Sequence, residues 1–184
     1  MSEVFELRQY TLHPGKRDVL IELFEREFLT TQEQAGIRVL GQFRDLDDPD
    51  RFVWFRSFPG MVQRREALTR FYSGPAWMAH RDAANATMID SDDVLLLRLV
   101  DPRFAFPAAM QSPVLHVTVH EIDGPIEQLA MPLLCSEHSE NTYPALPVRE
   151  NEHVLVSFTS DDLGFPVKQR LRLQPTAGSR MRRG

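Results

Sequence analysis

Four consecutive large apolar residues, Phe52-Val53-Trp54-Phe55, leave this chain few ways to fold. They follow the turn-forming stretch Asp45-Leu46-Asp47-Asp48-Pro49-Asp50, so Gly41 to Phe58 reads as two strands and the turn between them. Asp side chains bond nearby backbone groups there, and Pro49 fixes its own φ. A half-wet strand alternates apolar and polar residues, whereas one that is apolar at every position has both faces buried. The fold must therefore supply a cover for each face of this sheet.

The rest of the chain shows what those covers are. Val4 to Leu12 alternates, with Phe5, Leu7, Gln9 and Thr11 on one face and Glu6, Arg8, Tyr10 and Leu12 on the other, and His13-Pro14-Gly15 ends it. Lys16 to about Gln34 carries Leu20, Leu23, Phe24 and Phe28 at helical spacing, with Gly36 as its stop. Ile37 to Phe43 and Arg51 to Phe58 read as the hairpin strands, Met61 to Tyr72 and Ala76 to Met88 as helices, and Val94 to Leu99 as a buried fourth strand. The order is β-α-β-β-α-β, the split βαβ plan of a ferredoxin-like α+β sheet.

After Asp101 to Pro113, which reads as a linker, the plan restarts. Val114 to Ile122 is a strand ended by Asp123-Gly124-Pro125, and Ile126 to His138 reads as a helix interrupted at Met131-Pro132. Asn141 to Val148 leads into a strand, Arg149 to Glu152 turns, and His153 to Phe158 and Val167 to Leu173 are strands. Arg149-Glu150 answers Arg44-Asp45, and Leu171-Arg172-Leu173 answers Leu97-Arg98-Leu99. This points to an internal duplication with modules over 1–100 and 114–184 joined by 101–113. The second is degenerate, because only a short connection stands where the first has two helices. Two sheets with a spare apolar face each are expected to pack face to face as a pseudo-dimer; sheets merged edge to edge would contradict that arrangement.

With 184 residues the chain can hold one large domain or two small ones, and its single cysteine, Cys135, excludes a disulfide framework. A net charge of -5 argues against a general nucleic-acid binder. The basic tail of Arg180, Arg182 and Arg183 is expected to be a solvated end. No apolar run of about 18 residues marks a membrane span. The first residues lead almost directly into a strand without a presequence, so a cytoplasmic location is expected.

One set of motifs is specific when taken together. It comprises Glu6-Leu7-Arg8-Gln9-Tyr10-Thr11-Leu12 with Pro14-Gly15-Lys16, Gly41 to Asp45 with Asp50 to Trp54, His80 to Asp90, and Leu146-Pro147-Val148-Arg149. It resembles the NIPSNAP family, closely over Glu3 to Leu99 and more loosely over Val114 to Arg183. The resemblance implies the dimeric α/β barrel superfamily, in which two ferredoxin-like sheets pack together. It implies no settled activity, so no catalytic residues carry over. Relatives in that superfamily use the cleft between a sheet and its own helices for small aromatic or lactone substrates, often without a cofactor, and none is expected here.

That cleft directs attention to the helix of Ala76 to Met88. Trp77, Arg81, Ala84 and Met88 form one stripe, and His80 stands beside it as a candidate acid or base. Tyr10 and Arg8 share a strand face with Glu6 and complete a candidate polar set with His80. Trp54, Arg44 and Asn85 are further candidate ligand contacts. Each has a structural alternative: His80 and Trp77 packing a helix on a sheet, Arg8 snorkelling beside Tyr10, Trp54 in the core, Asn85 holding a loop. No metal site is expected, since His116 and His120 sit four apart on a strand and do not converge, and His138 and His153 lack a carboxylate partner at ligand spacing. Nucleotide-binding loops and a nucleophile elbow are absent from the sequence. Cys135 reads as a buried structural residue. Two functional classes follow: a binder of a small apolar or aromatic molecule, with or without catalysis, and a non-catalytic interaction or assembly module. A homodimer is expected in either case, because the second module leaves surface uncovered.

Overall fold

The computed structural model describes residues 2–126 and 129–184. The first half runs β1 (Val4–Leu12), α1 (Arg17–Leu23), a π turn (Phe24–Phe28), α2 (Leu29–Gln34), β2 (Arg38–Asp45), β3 (Arg51–Phe58), α3 (Met61–Tyr72), α4 (Pro75–Asn85) and β4 (Met88–Leu99). The second half runs β5 (Ala109–Met110), β6 (Leu115–Glu121), β7 (Leu133–Ser136), β8 (Val154–Ser157), β9 (Val167–Pro175) and β10 (Arg182–Arg183). Among the described residues no helix is long and apolar enough to cross a membrane.

Eight of these strands close a barrel in the order β1-β3-β2-β9-β6-β8-β7-β4, every neighbour antiparallel. It is built from two arcs, β4-β1-β3-β2 and β9-β6-β8-β7, each ordered fourth, first, third, second along its own stretch of chain. This corrects the expected packing of two separate sheets. The arcs are hydrogen-bonded at both edges, β2 to β9 at Phe43↔Pro175 through Asp45↔Leu173 and β4 to β7 at Leu97↔Ser136 through Leu99↔Leu134. An open four-stranded sheet leaves a row of unpaired backbone groups along each edge, and closure satisfies both rows. The covering requirement is met inside the barrel. Phe5, Leu7 and Phe55 from one arc bury against Val117, Val156 and Leu171 from the other. Gln9 and Gln169 exchange two amide hydrogen bonds of 2.8 and 2.9 Å across the two arcs.

The outer face of the first arc carries Tyr10, Leu12, Phe52, Trp54 and Phe58, and the helices cover it. The single helix expected from Lys16 to Gln34 is three pieces, because Leu29 N–H bonds Phe24 O, five residues back rather than four. Gly36 ends it at a φ of 98°, a conformation that suits glycine. The Asp-rich turn forms as its chemistry predicts, with Asp45 and Asp48 carboxylates accepting from the N–H groups of Asp47 and Asp50.

The second half departs from its expected elements. Of the helix expected over Ile126 to His138, residues 127 and 128 lie outside the described residues, and Leu133–Ser136 is a strand, β7, between β4 and β8. Pro132 lacks the N–H a helix needs, and the edge of β4 offers a ladder instead. Residues 141–148 form no lead-in strand; they cross to the first half, as described below. The connecting stretch 101–113 also closes one end of the barrel, with Phe106 against Phe5 and Phe55 and Met110 in the core. Arg180, Arg182 and Arg183 are exposed as expected, but the tail that carries them is ordered: Met181 is in the barrel core, Arg180 pairs with Glu33 at 2.8 Å, and β10 pairs with β5.

Candidate functional site

Strand parity puts Glu6, Arg8 and Tyr10 of β1 beside Trp54 and Arg56 of β3 on the outer face, beneath the helices. A cavity of about 380 Å³ lies between this floor and the helices. Arg8, Tyr10 and Trp54 form its base, and Phe24 and Phe28 reach it from the two ends of the π turn. Tyr72, at the end of α3, and Trp77, in α4, form another wall, their rings 5.0 Å apart. Asn85 closes α4 at the same cavity.

The remaining wall comes from the other half of the chain. Tyr143, Ala145 and Leu146 line the cavity, and Tyr143 stacks on Tyr72 at 6.1 Å. Two polar contacts hold this loop down: Arg64 Nη1 donates to Asn141 Oδ1 at 2.9 Å, and Thr142 Oγ1 donates to the Met61 carbonyl at 3.1 Å. Where the first arc has the short turn of 46–50 between its second and third strands, the second has this long loop laid over its neighbour's helices.

Beneath the cavity lies a buried ionic cluster. Glu6 is wholly buried and meets Arg8, Arg56 and Arg64, all buried as well. Arg8 Nη1 donates to Glu6 Oε2 at 2.9 Å and Arg64 Nε to Glu6 Oε1 at 2.9 Å, while Arg56 Nε donates to Oε2. Arg8 Nε also donates to Tyr10 Oη at 3.1 Å, and Arg56 Nη1 to Gln32 Oε1 at 3.2 Å. Among the described residues none of the three guanidinium groups meets a second carboxylate, so the cluster carries two positive charges in excess. Burial alone would raise the Glu6 carboxyl, but Arg56, Arg8 and Arg64 overcome it and hold the group well below the usual carboxylate range. Burial pushes the Tyr10 phenol up, against the neighbouring Arg8 guanidinium, so Tyr10 is neutral at pH 7.

Among the described residues several donors in this region have no hydrogen-bond partner. Trp54 Nε1 and Arg56 Nη2 are buried without a hydrogen bond, and Arg8 Nη2 makes none among the described residues. The guanidinium carbons of Arg8 and Arg56 lie 5.6 and 5.0 Å from the Trp54 ring centroid.

Of the sequence candidates, Arg8, Tyr10, Trp54, Trp77 and Asn85 meet at this cavity. His80, Arg81 and Arg44 do not line it. His80 packs against the π turn, its Nε2 3.3 Å from Glu27 and its ring edge-on to Phe28. Arg81 is exposed beside Met78 and Asp82, and Arg44 pairs with Asp18 at 2.8 Å. The expected joining of His80 to Arg8 and Tyr10 is therefore absent: three residues on from Trp77, His80 is offset by roughly 60° about α4 and meets Glu27 and Phe28 instead of the cavity. The snorkelling alternative for Arg8 also fails, since the side chain is 2% exposed and paired to Glu6. His120 is buried with its Nε2 3.1 Å from Ser157 Oγ, and Cys135 is buried in β7. The sequence reading missed the roles of Glu6, Arg56, Arg64 and Tyr143. Three of these had a signal, charged residues on strand or helix faces that are otherwise apolar; Tyr143 had none.

The NIPSNAP family model matches residues 5–102, just over half of the chain. Solved structures that resemble it include a NIPSNAP family protein of unknown function from Agrobacterium tumefaciens, 18% identical, covering 53% of this chain and 87% of its own, at a TM-score of 0.49. Another is an uncharacterised NIPSNAP-like domain protein from Burkholderia xenovorans, 20% identical, covering 58% of this chain and 90% of its own, at a TM-score of 0.49. No curated protein matches the chain.

Proposed function

The chain belongs to the NIPSNAP family, and from that premise we propose that it binds a small apolar or aromatic molecule between the outer face of β1 and β3 and the helices of its first half. The observation that carries this reading is the cavity of about 380 Å³ with aromatic walls. Its size is at the lower end of small-molecule pockets, and its lining pairs apolar rings with a few polar groups, as such pockets do. The loop from the second half supports the same reading, since it encloses a space that the helices alone would leave open. The shared fourth-first-third-second strand order also supports an internal duplication, with modules over 1–100 and 114–184 and a connector over 101–113. A second copy of the chain is the partner we expect on the outer face of the second arc, which carries no helix among the described residues.

A thermal-shift screen with aromatic, quinone and lactone compounds tests the binding reading. A ligand that binds only the folded chain raises the midpoint, by about 2.7 kcal/mol of stability at a hundredfold excess over Kd. Ala145→Trp is the control, because Ala145 is exposed and lines the cavity. The variant's own midpoint should match that of the natural chain while its ligand-induced shift disappears. Shifts of equal size in both proteins would put the ligand elsewhere and sink the reading.

A further inference from the structure

We infer that the pocket takes an aromatic carboxylate, with its anionic group seated at the base against the Arg8 guanidinium and near the indole N–H of Trp54. The inference rests on the pocket being a small-molecule site, as proposed above, and specifies what enters it. Three independent observations converge. The first is charge: Arg8, Arg56 and Arg64 share one carboxylate, Glu6, leaving an excess of two positive charges in a buried place. Buried charges are ordinarily paired, and Arg8, the member of the cluster that lines the cavity, is the one an anion entering there reaches. The second is the sign of the unmet hydrogen bonds. Arg8 and Trp54 both line the cavity, and their unmet atoms, Nη2 and Nε1, are donors; arginine and indole nitrogens cannot accept. A group that complements donors alone is an acceptor alone, which is what a carboxylate is. The third is shape. Arg8 is the cluster member that lines the cavity, and its planar guanidinium matches a planar carboxylate better than a spherical ion. Phe24, Phe28 and Trp77 then surround the body of the ligand, which makes that body a ring.

Glu6 sets the strength of the site. It binds the arginines from below, through Oε1 and Oε2, and keeps their forks oriented without neutralising them. Because the cluster is already ionised at neutral pH, the ligand enters as its carboxylate and no proton needs to move.

Isothermal titration with matched pairs tests this: benzoate against benzamide and 2-naphthoate against 2-naphthamide, at pH 7. Each pair keeps the size and the ring and replaces an anionic, acceptor-only group by a neutral one that also donates. Removing one charge-assisted hydrogen bond should weaken the amide roughly tenfold or more relative to the acid. In Arg8→Met the acid should lose that advantage while the amide binds as before; in Arg8→Lys, which keeps the charge but not the fork, the advantage should shrink. Amides equal to acids in the natural chain would overturn the inference and leave an aromatic pocket standing. A preference for acids that survives in Arg8→Met would overturn the seat. No binding of either acid, by titration at two temperatures, would overturn the inference, while the thermal-shift screen decides the binding reading separately. Should Arg8→Met fail to fold, the natural chain and Arg8→Lys decide the question.

Discussion

Glu6 is a single buried carboxylate among three buried guanidinium groups, and the balance of the cluster depends on it. Replacing it by Gln leaves three unneutralised charges in the interior. Removing one partner of a buried pair costs about 3–5 kcal/mol, so urea unfolding of Glu6→Gln at pH 7 should show a loss of that order. The dependence on pH has a definite sign. The folded-state carboxyl is held below its ordinary value of 4.5, so its stabilisation is full above that pH and is lost as the pH falls through the folded value. The gap in unfolding free energy between the natural chain and Glu6→Gln should therefore narrow progressively as the pH drops below about 4.5. A gap that stayed constant down to strongly acidic pH would mean that Glu6 is not the group so stabilised.

At the level of the element, β2 and the first helical segment show how local irregularities serve the packing. The π turn carries an extra residue per turn between Phe24 and Phe28, and both rings end at the cavity. Such turns are frequent at functional sites, which agrees with the binding reading. In β2 the register shifts between Val39 and Gly41, and Gly41 lies against the Phe43 ring and Met181. A Cβ at position 41 would come within 2.8 Å of the Phe43 ring and 3.0 Å of Met181 Cβ. Phe43 and Met181 are both wholly buried, so neither has free space to move into. Gly41→Ala should accordingly lower unfolding stability by about 1–3 kcal/mol, the usual range for overpacking. Equal stability of the two proteins would show that the tail can shift without cost.

For the whole molecule, barrel closure makes the two halves dependent on each other. Residues 1–100 alone would expose Phe5, Leu7 and Phe55 on the inner face, along with the edges of β2 and β4 that now pair with β9 and β7. Exposed edges and apolar faces recruit a second chain. A fragment of residues 1–100 should thus run on size exclusion with light scattering as a dimer or larger species. A soluble, folded monomer would contradict the closure argument. The same interdependence explains why the cavity wall includes Tyr143 and Leu146, which belong to the opposite arc.

Much of the first half was legible because its signals are local. The alternation of Val4 to Leu12, the doubly apolar Phe52 to Phe55 and the aspartates of the hairpin turn act over a few residues, and their strands and turn appear where that chemistry puts them. Strand parity also determined in advance that Glu6, Arg8 and Tyr10 share one face of their strand, and that Trp54 and Arg56 share one face of theirs; the pairing of β1 with β3 made these the same face of the sheet. Tertiary structure decided what those faces meet. Closure of the barrel is a choice between two sheet edges and solvent, and β7 formed because the edge of β4 was available to Leu133–Ser136. The reach of Tyr143 over Tyr72, the burial of Met181 and the separation of His80 from Arg8 depend on contacts between distant parts of the chain, as do the three arginines around Glu6. Local sequence carries backbone preference and facing; which charges share a buried space is decided only when the elements pack, since burial and pairing are properties of the assembled core.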